Sequence, residues 1–453
     1  MAWITLEQAA AWCGGQIDPK YAKVAFLGAN NDSRKIQKGE LFIALQGARD
    51  GHDYIASALQ NGAAAVLCNH CDGDYPAIVV EDTRIALGAI AREERKRIGM
   101  KVVGVTGSVG KSTTKEMIAC VLEGTYRVAK TPANHNNDIG MPMAVLSIPE
   151  DTEVAVLEMG MNHFREIAYL TSISLPDVAV IINIGTMHIE HLGSQEGILK
   201  AKLEILEGMQ PDGKVILNGD DRFLQSASGQ IQQPITYFGA KNPDCGVQAL
   251  DAKLLDGHLQ FTAKWEDQTL PIELAMEGEH YIADALAAIS VGLAMGVSPA
   301  SIRQQLASFR NLAGRQEILE QKGYTIIKDC YNAGPESMAA ALKVLGNKAG
   351  RRVAVLGDML ELGACAHTEH HRIGLVAAKN ADIVLAYGPN SDCVVTGARE
   401  GGMAEENALA FEDRDCLVAV LKRLAKQGDV MLFKGSHGMH MELALEKFLK
   451  EDT

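Results

Sequence analysis

The residues best suited to do chemistry stand in one run, Thr106-Gly107-Ser108-Val109-Gly110-Lys111-Ser112-Thr113, directly after the apolar stretch 102–105. A strand feeding a glycine loop and then a helix lets backbone N–H groups and the helix N-terminus face phosphate oxygens. Lys111 is placed to reach the terminal phosphates of a nucleotide, and the Ser112 hydroxyl to ligate magnesium. The strict form of this motif needs glycine at position 105, where the chain has Val105, but Gly107 supplies the turn in a shorter form. An ordinary glycine turn does not require a Lys-Ser pair after it, so a phosphate cradle is the favoured reading.

Other reactive groups fall at the ends of apolar runs. Glu158 closes the run 154–157, where open α/β sheets present ligand-binding groups, and a bare carboxylate suits a hard cation such as Mg2+. Arg315 follows Ala313-Gly314, a hinge-like pair, and would bring a second cation to the phosphates from another domain. Asp329, Tyr331 and Asn332 follow the run 324–328 and are expected to hold the nucleotide from the far side. Lys434 and Ser436 end a buried run and make a donor-rich site for a carboxylate. Two clusters are set aside. Cys68 and Cys71 have redox or zinc spacing but no second pair. His367, His370 and His371, near Cys365, are expected to face solvent or substrate.

These groups need a scaffold, and the pattern supplies one. Thr5 and Gln8 form a capping-box signature for a short helix ending near Gly14, and buried strands are expected at 41–45, 64–67 and 77–80. From about residue 84 long βα alternation sets in, with strands near 102–105, 154–157, 178–182 and 215–217, which implies a parallel sheet covered by helices. Alternation across Asp256-Gly257 predicts a β-hairpin and a small antiparallel patch. Helices are expected at 281–295 and 299–308, then further βα units with strands at 352–356, 382–386 and 429–433, a Rossmann-like arrangement. The expected division is 1–83, 84–313 and 314–453. A length of 453 residues accommodates roughly three domains.

Charge narrows the function. Lys plus Arg number 43 and Asp plus Glu 57, a net charge of −14, which argues against a nucleic-acid binder. Residues 101–130 nevertheless carry five basic and two acidic side chains, a local excess that suits a small anionic ligand. No run approaches the roughly 18 apolar residues needed to span a bilayer. The start lacks a signal-peptide pattern, and nine scattered cysteines fit a reducing compartment. A cytoplasmic monomer is expected.

The phosphate loop resembles that of the Mur ligases, which build the peptidoglycan stem peptide. Other segments resemble the family in order: Thr131 to Pro142 its asparagine loop, Glu158-Met159-Gly160 and Asn183 to His188 its metal-binding strand ends, Ala201-Lys202 the segment whose lysine is carbamylated in many members, and Gly314-Arg315 the opening of its third domain. Asp32-Ser33-Arg34, Gly39 to Phe42 and Asp50-Gly51-His52 resemble the uridine-nucleotide domain of the third and fourth amino-acid-adding enzymes. Segments 329–333, 356–363 and 434–442 are similar to the member that adds D-alanyl-D-alanine. The Asp-Asn-Pro-Arg segment of the sister that adds diaminopimelate or lysine is not found.

The resemblance implies a small α/β uridine-nucleotide domain, a central P-loop ATPase sheet and a C-terminal Rossmann-like domain. It also implies an ATP- and Mg2+-dependent amide ligase of cell-wall synthesis that joins D-alanyl-D-alanine to UDP-N-acetylmuramoyl-tripeptide through an acyl phosphate. Lys111, Glu158, His188, Lys202 and Arg315 would be catalytic, with Ser112, Glu158, His188 and a carbamylated Lys202 at the metal. Residues 106–112, Asp284, Asp329 and Asn332 would bind ATP. Ser33, Arg34, Phe42, Gly51, His52, Asn134 and Asn137 would bind the uridine substrate, and Lys434 and Ser436 the dipeptide. One departure stands out: Asp284 in His280-Tyr281-Ile282-Ala283-Asp284-Ala285 replaces the family's adenine-binding asparagine. An ionised carboxylate accepts from the adenine amino group but cannot donate to a ring nitrogen. Competing readings are a sister ligase that adds one amino acid, a folate-type polyglutamylating ligase and a P-loop NTPase switch.

Overall fold

A computed structural model describes residues 3–450. The first unit carries a four-stranded parallel sheet in the order Ala29–Asn30, Leu41–Ile43, Ala65–Cys68, Ala77–Val79, beside a short antiparallel pair, Ile4–Thr5 with Ala25–Phe26. The capping box forms as the sequence predicts: Thr5 Oγ1 accepts from the Gln8 N–H, and helix Leu6–Cys13 ends at Gly14 with φ 70°.

Helix Thr83–Ile98 leads into the central unit. Asp82 caps it by accepting from the Arg84 and Ile85 N–H groups. It buries Ala86, Leu87, Ile90 and Ala91 in a core that runs from the first unit onto one face of the central sheet. Deleting such a side chain, Leu87→Ala for instance, would cost about 2 to 5 kcal/mol.

The central sheet has nine strands. Lys101–Thr106 lies in its interior, with Val154–Glu158 and Val128–Lys130 on one side and Val178–Ile181, Lys214–Asn218 and Ile235–Gly239 on the other, all parallel. The strands beside Lys101–Thr106 are buried end to end, as parallel strands covered on both faces must be. The chain leaves Lys101–Thr106 toward one edge and later crosses to its other side. The carboxyl end of that strand is therefore a switch point, where such sheets bind ligands. The expected hairpin extends this same sheet: Val247–Leu255 pairs parallel with its neighbour and antiparallel with His258–Trp265, which pairs with Gln268–Leu274. Helices Lys111–Glu123 and Tyr281–Ala294 pack together on the face opposite helix Thr83–Ile98.

The third unit is a six-stranded sheet in the order 317–321, 324–329, 430–434, 352–357, 383–387, 408–411. It is parallel except for its edge strand Glu317–Gln321, which turns back antiparallel against Tyr324–Asp329. The sequence reading missed that edge strand and also Val128–Lys130, Ile235–Gly239 and Ala408–Phe411. All four are short and partly exposed. A run open on one face lacks the continuous apolar signature that marked the buried strands.

Candidate active site

The phosphate loop lies at the carboxyl end of Lys101–Thr106, and Asn183 from the end of the next strand holds it in shape. Asn183 Oδ1 accepts from the Ser108 and Val109 N–H groups at 3.0 and 2.9 Å, and its Nδ2 donates to the Val109 carbonyl. The Gly185 N–H donates to Ser108 Oγ. Gly110, at φ 85°, opens helix Lys111–Glu123, and a Cβ there would stand 2.7 Å from Asp284 Oδ1. Lys111 Nζ donates to the Gly107 and Ser108 carbonyls at 2.9 and 3.3 Å. Its withdrawal from water lowers its pKa, opposed by the nearby Glu158.

Ser112 joins three elements. Its hydroxyl donates to Glu158 Oε2 at 2.7 Å and accepts from Arg315 Nη2 at 2.8 Å. Asn136 Nδ2 donates to the other Glu158 oxygen at 2.8 Å. Arg315, just past Gly314 at φ 72°, stacks its guanidinium 3.9 Å from the centre of the Tyr331 ring. Loop, carboxylate and guanidinium line one cavity of about 460 Å3 between the central and third sheets.

The third sheet supplies the far wall. Asp329 accepts from Lys434 Nζ at 2.6 Å and from the Gln316 N–H, and Lys434 also donates to the Asn332 carbonyl. Asp329 and Asn332 line the cavity. Lys434 lines it too, but two of its three N–H donors are spent on Asp329 and the Asn332 carbonyl rather than left free for a dipeptide. Ser436 lies off the cavity wall, accepting from the Leu360 N–H and donating to the Ala333 carbonyl.

Three further contacts tie the third unit to the central one. His188, at φ 65°, sets Nδ1 2.7 Å from Glu361 Oε2, off the line of a hydrogen bond; burial lowers its pKa and Glu361 opposes the shift. Glu336 accepts from the Thr186 N–H and hydroxyl. Gln316 donates to the Glu277 carbonyl.

Lys202 is 1% exposed on helix Gln195–Leu203. Burial, and then the charge of Lys111, holds its pKa well below the ordinary lysine value, and among the described residues no hydrogen bond or ion pair holds its ammonium. Asp284 is buried beneath the loop, accepting from the Thr114 hydroxyl at 2.8 Å, and burial raises its pKa to about 7. Asp284 thus stands against Gly110 of the phosphate loop.

A second cavity, of about 1130 Å3, opens between the first and central units. Ser33 and Arg34 line it, joined by Lys35, Arg49 and Lys130, which the sequence reading did not single out. Arg34 is anchored by Asp32, whose carboxyl it lowers to about 2. Phe42 is 1% exposed in the core, so it supports this wall from behind rather than touching a ligand. Gly51 is required by space, since a Cβ there would stand 2.6 Å from the Leu45 nitrogen. His52 is occupied on both nitrogens, with Nδ1 2.6 Å from Asp50 and Nε2 accepting from the Asn69 N–H. Asn134 is exposed, and Asn137 lies at the first cavity and accepts from the Gly140 N–H.

The histidine cluster divides: His367 is exposed, in line with the expectation that the cluster faces solvent or substrate, and His370 departs from it. His370 is 1% exposed, accepts from the Met359 N–H and bonds the Ala366 carbonyl, so it fixes the loop that carries Glu361. His371 pairs with Glu400. Among the described residues no group of three or more His, Cys, Asp or Glu side chains is gathered as for a metal. The donors at the loop mouth are instead a hydroxyl, a carboxylate and an amide. Such oxygen donors fit Mg2+, which takes one or two carboxylates plus substrate phosphates and water. Asn136, Asn183, Glu336 and Glu361 were missed as site residues. Asn183 carried a readable signal, its place at the end of the strand beside the loop.

Fold and site together define an ATP-using α/β enzyme whose cavity closes between two sheets. The sequence matches, in order, the Mur ligase family catalytic domain over residues 24–105, the Mur ligase middle domain over 105–292 and the Mur ligase glutamate ligase domain over 314–437. The chain belongs to the Mur ligase family. A protein of Bacillus subtilis (strain 168) named UDP-N-acetylmuramoyl-tripeptide–D-alanyl-D-alanine ligase is 40% identical over 438 residues, 95% of this chain and 94% of that one. Among solved structures, MurF from Acinetobacter baumannii superposes with a TM-score of 0.91 at 31% identity, covering all of both chains. MurF from Thermotoga maritima in complex with ADP gives 0.83 at 30% identity, over 94% of this chain and 97% of that one.

Proposed function

We propose that this chain joins D-alanyl-D-alanine to UDP-N-acetylmuramoyl-tripeptide, with cleavage of ATP, in peptidoglycan precursor synthesis. The full-length likeness to the Bacillus subtilis ligase supports the substrates. The chemistry rests on one observation: Arg315, from the start of the third unit, meets Ser112 and Glu158 at the mouth of the phosphate loop. Residues 1–83 are assigned to the uridine substrate, 84–313 to ATP and 314–453 to closing the site and receiving the dipeptide.

In this mechanism the acceptor carboxylate attacks the γ-phosphorus of ATP and the bond to ADP breaks, leaving an acyl phosphate. Lys111 and Arg315 neutralise charge on the transferring oxygens, which is most of what catalysis of phosphoryl transfer requires. Ser112 and Glu158 would hold Mg2+, which when bound draws charge from the phosphates. Lys202, as a carbamate, and His188 are its further candidate ligands. The neutral amine of the dipeptide then attacks the acyl carbon, a C–N bond forms, the C–O bond to phosphate breaks, and a proton is released. The contacts of Arg315, Glu336 and Glu361 with the central unit keep water from the acyl phosphate. Among the described residues no helix is long and apolar enough to cross a membrane. The cytoplasm, where ATP is supplied, is the compartment this reaction needs.

Phosphate release measured with UDP-tripeptide tests the assignment. It should depend on D-alanyl-D-alanine, and single amino acids should not replace it. Release with a single amino acid and UDP-dipeptide would identify the sister ligase instead, and ATPase activity indifferent to both substrates would identify a switch.

A further inference from the structure

A third cavity, of about 470 Å3, opens beside the ATP cavity, and the two share Asn137, Gly160, Asn162 and Glu166. The segment 132–138 serves all three cavities. Pro132 and His135 line the uridine side, Asn136 and Asn137 the ATP side, and Asn137 and Asp138 this one. An acceptor laid from the uridine side with its terminal carboxylate at the phosphate loop therefore has its last side chain at the mouth of the third cavity.

The walls carry both signs of charge. Arg84 Nη1 lies 3.0 Å from Asp138 Oδ2, and both are only half-shielded from water. Arg165 is paired with Glu207 at 2.7 Å. Glu166 accepts from the Asn162 N–H at 2.6 Å. Lys200 stands 5.7 Å over the ring of Phe164. Two exposed apolar side chains, Ile85 at 64% and Phe164 at 40%, offer contact to a methylene stem. Arg84 is held in place from behind: Asp82 caps its N–H, and Tyr169 Oη donates to its carbonyl at 3.1 Å. Gly88, one turn further on, leaves room for that hydroxyl, since a Cβ there would stand 2.2 Å from Tyr169 Oη.

Resting on the ligase reading above, we infer that this cavity receives the side chain of the acceptor's third residue and selects one whose end carries both an ammonium and a carboxylate, a 2,6-diamino dicarboxylate such as diaminopimelate. The Arg84–Asp138 pair opens to clamp it, the guanidinium taking the carboxylate in bidentate fashion and Asp138 taking the ammonium. A lysine side chain brings only the ammonium. It would leave Arg84 without a carboxylate from the ligand, and its ammonium would compete with Arg84 for Asp138.

Steady-state kcat/KM for two acceptors, UDP-muramoyl-tripeptide ending in diaminopimelate or in lysine, tests this with D-alanyl-D-alanine and ATP saturating. The wild-type protein should favour the diaminopimelate acceptor at least tenfold. Arg84→Gln should cut that ratio at least tenfold, Arg84→Lys should restore part of it, and Asp138→Asn should lower it from the other side. The KM for ATP should stay unchanged throughout. A wild-type ratio at or below one, or a ratio indifferent to both Arg84→Gln and Asp138→Asn, would overturn the assignment while leaving the ligase reading intact. No dipeptide-dependent phosphate release from the wild-type protein with either acceptor would overturn the ligase reading, and this inference with it.

Discussion

Arg315 and Ser112 stand 203 positions apart in sequence and 2.8 Å apart in space. The guanidinium donates to the same hydroxyl that donates to Glu158, so a residue of the third unit completes the group next to the phosphate loop. Arg315→Ala should lower kcat by about 10^2 to 10^3, the scale of removing one charge-stabilising donor, with little change in the KM for the uridine substrate. Arg315→Lys should recover little, because an ammonium lacks the planar face that stacks on Tyr331 while one nitrogen donates to Ser112. Single-turnover rates of ADP formation decide this, and a near-normal rate for Arg315→Ala would remove Arg315 from the chemistry.

Lys111→Ala should reduce turnover by about 10^2 or more at saturating ATP, again on the scale of one electrostatic contact made at the transition state. Thermal stability should hold, since the lysine bonds only carbonyls of its own loop. A variant that is slow only because it has unfolded would show in its melting curve.

Burial of Lys202 away from any partner holds its pKa well below the ordinary lysine value, which favours the neutral amine, the form that adds to CO2. Depleting bicarbonate should therefore depress wild-type activity, and adding it back should restore it. Lys202→Ala should lose activity and regain part of it with added short-chain carboxylates. Full activity of Lys202→Ala without any addition would identify a lysine that is merely buried.

Asp284 titrates near 7 in the folded chain and near 4 when unfolded. Between those values the folded state binds more protons, so stability should fall as pH rises from about 4 to about 7, by a few kcal/mol in all. Asp284→Asn should remove that slope. Melting temperatures of the two proteins across this range should converge at the acid end and separate toward neutrality, and parallel curves would refute the assignment.

Lys434 and Asp329 form an ion pair that is 3% and 15% exposed. Lys434→Met leaves the aspartate buried beside an apolar chain and should destabilise the protein by about 3 to 5 kcal/mol. Denaturant titration measures that directly. A variant as stable as the parent, with a raised dipeptide KM, would return Lys434 to the dipeptide site.

Much of this was legible from sequence because buried parallel strands advertise themselves. Runs such as Val178–Ile181 are apolar throughout, and the carboxyl ends of such runs drew attention to Glu158 and to the glycine loop with Lys111, whereas Arg315 was singled out by the Ala313-Gly314 pair before it. The uncharged amides were harder to see. Asn136 and Asn183 work through hydrogen bonds to partners distant in sequence, and nothing in their type distinguishes them from turn residues. Phe42 was mistaken for a ligand contact because an aromatic in a recognised segment looks functional, whereas its burial shows that packing keeps it there. Glu336 and Glu361 were invisible for a different reason: their partners, Thr186 and His188, become neighbours only when two sheets meet.

Asn183 carries one last consequence. Its side chain already fixes Ser108 and Val109, so nucleotide has no loop to freeze when it binds. Ordering a backbone residue costs roughly 1 to 2 kcal/mol in entropy at room temperature. Calorimetry of ADP binding should therefore show a small entropic penalty in the parent and a larger one in Asn183→Ala. In that sense the amide acts as a thermodynamic ballast, settled when the chain folds so that each catalytic cycle starts from a loop already at rest.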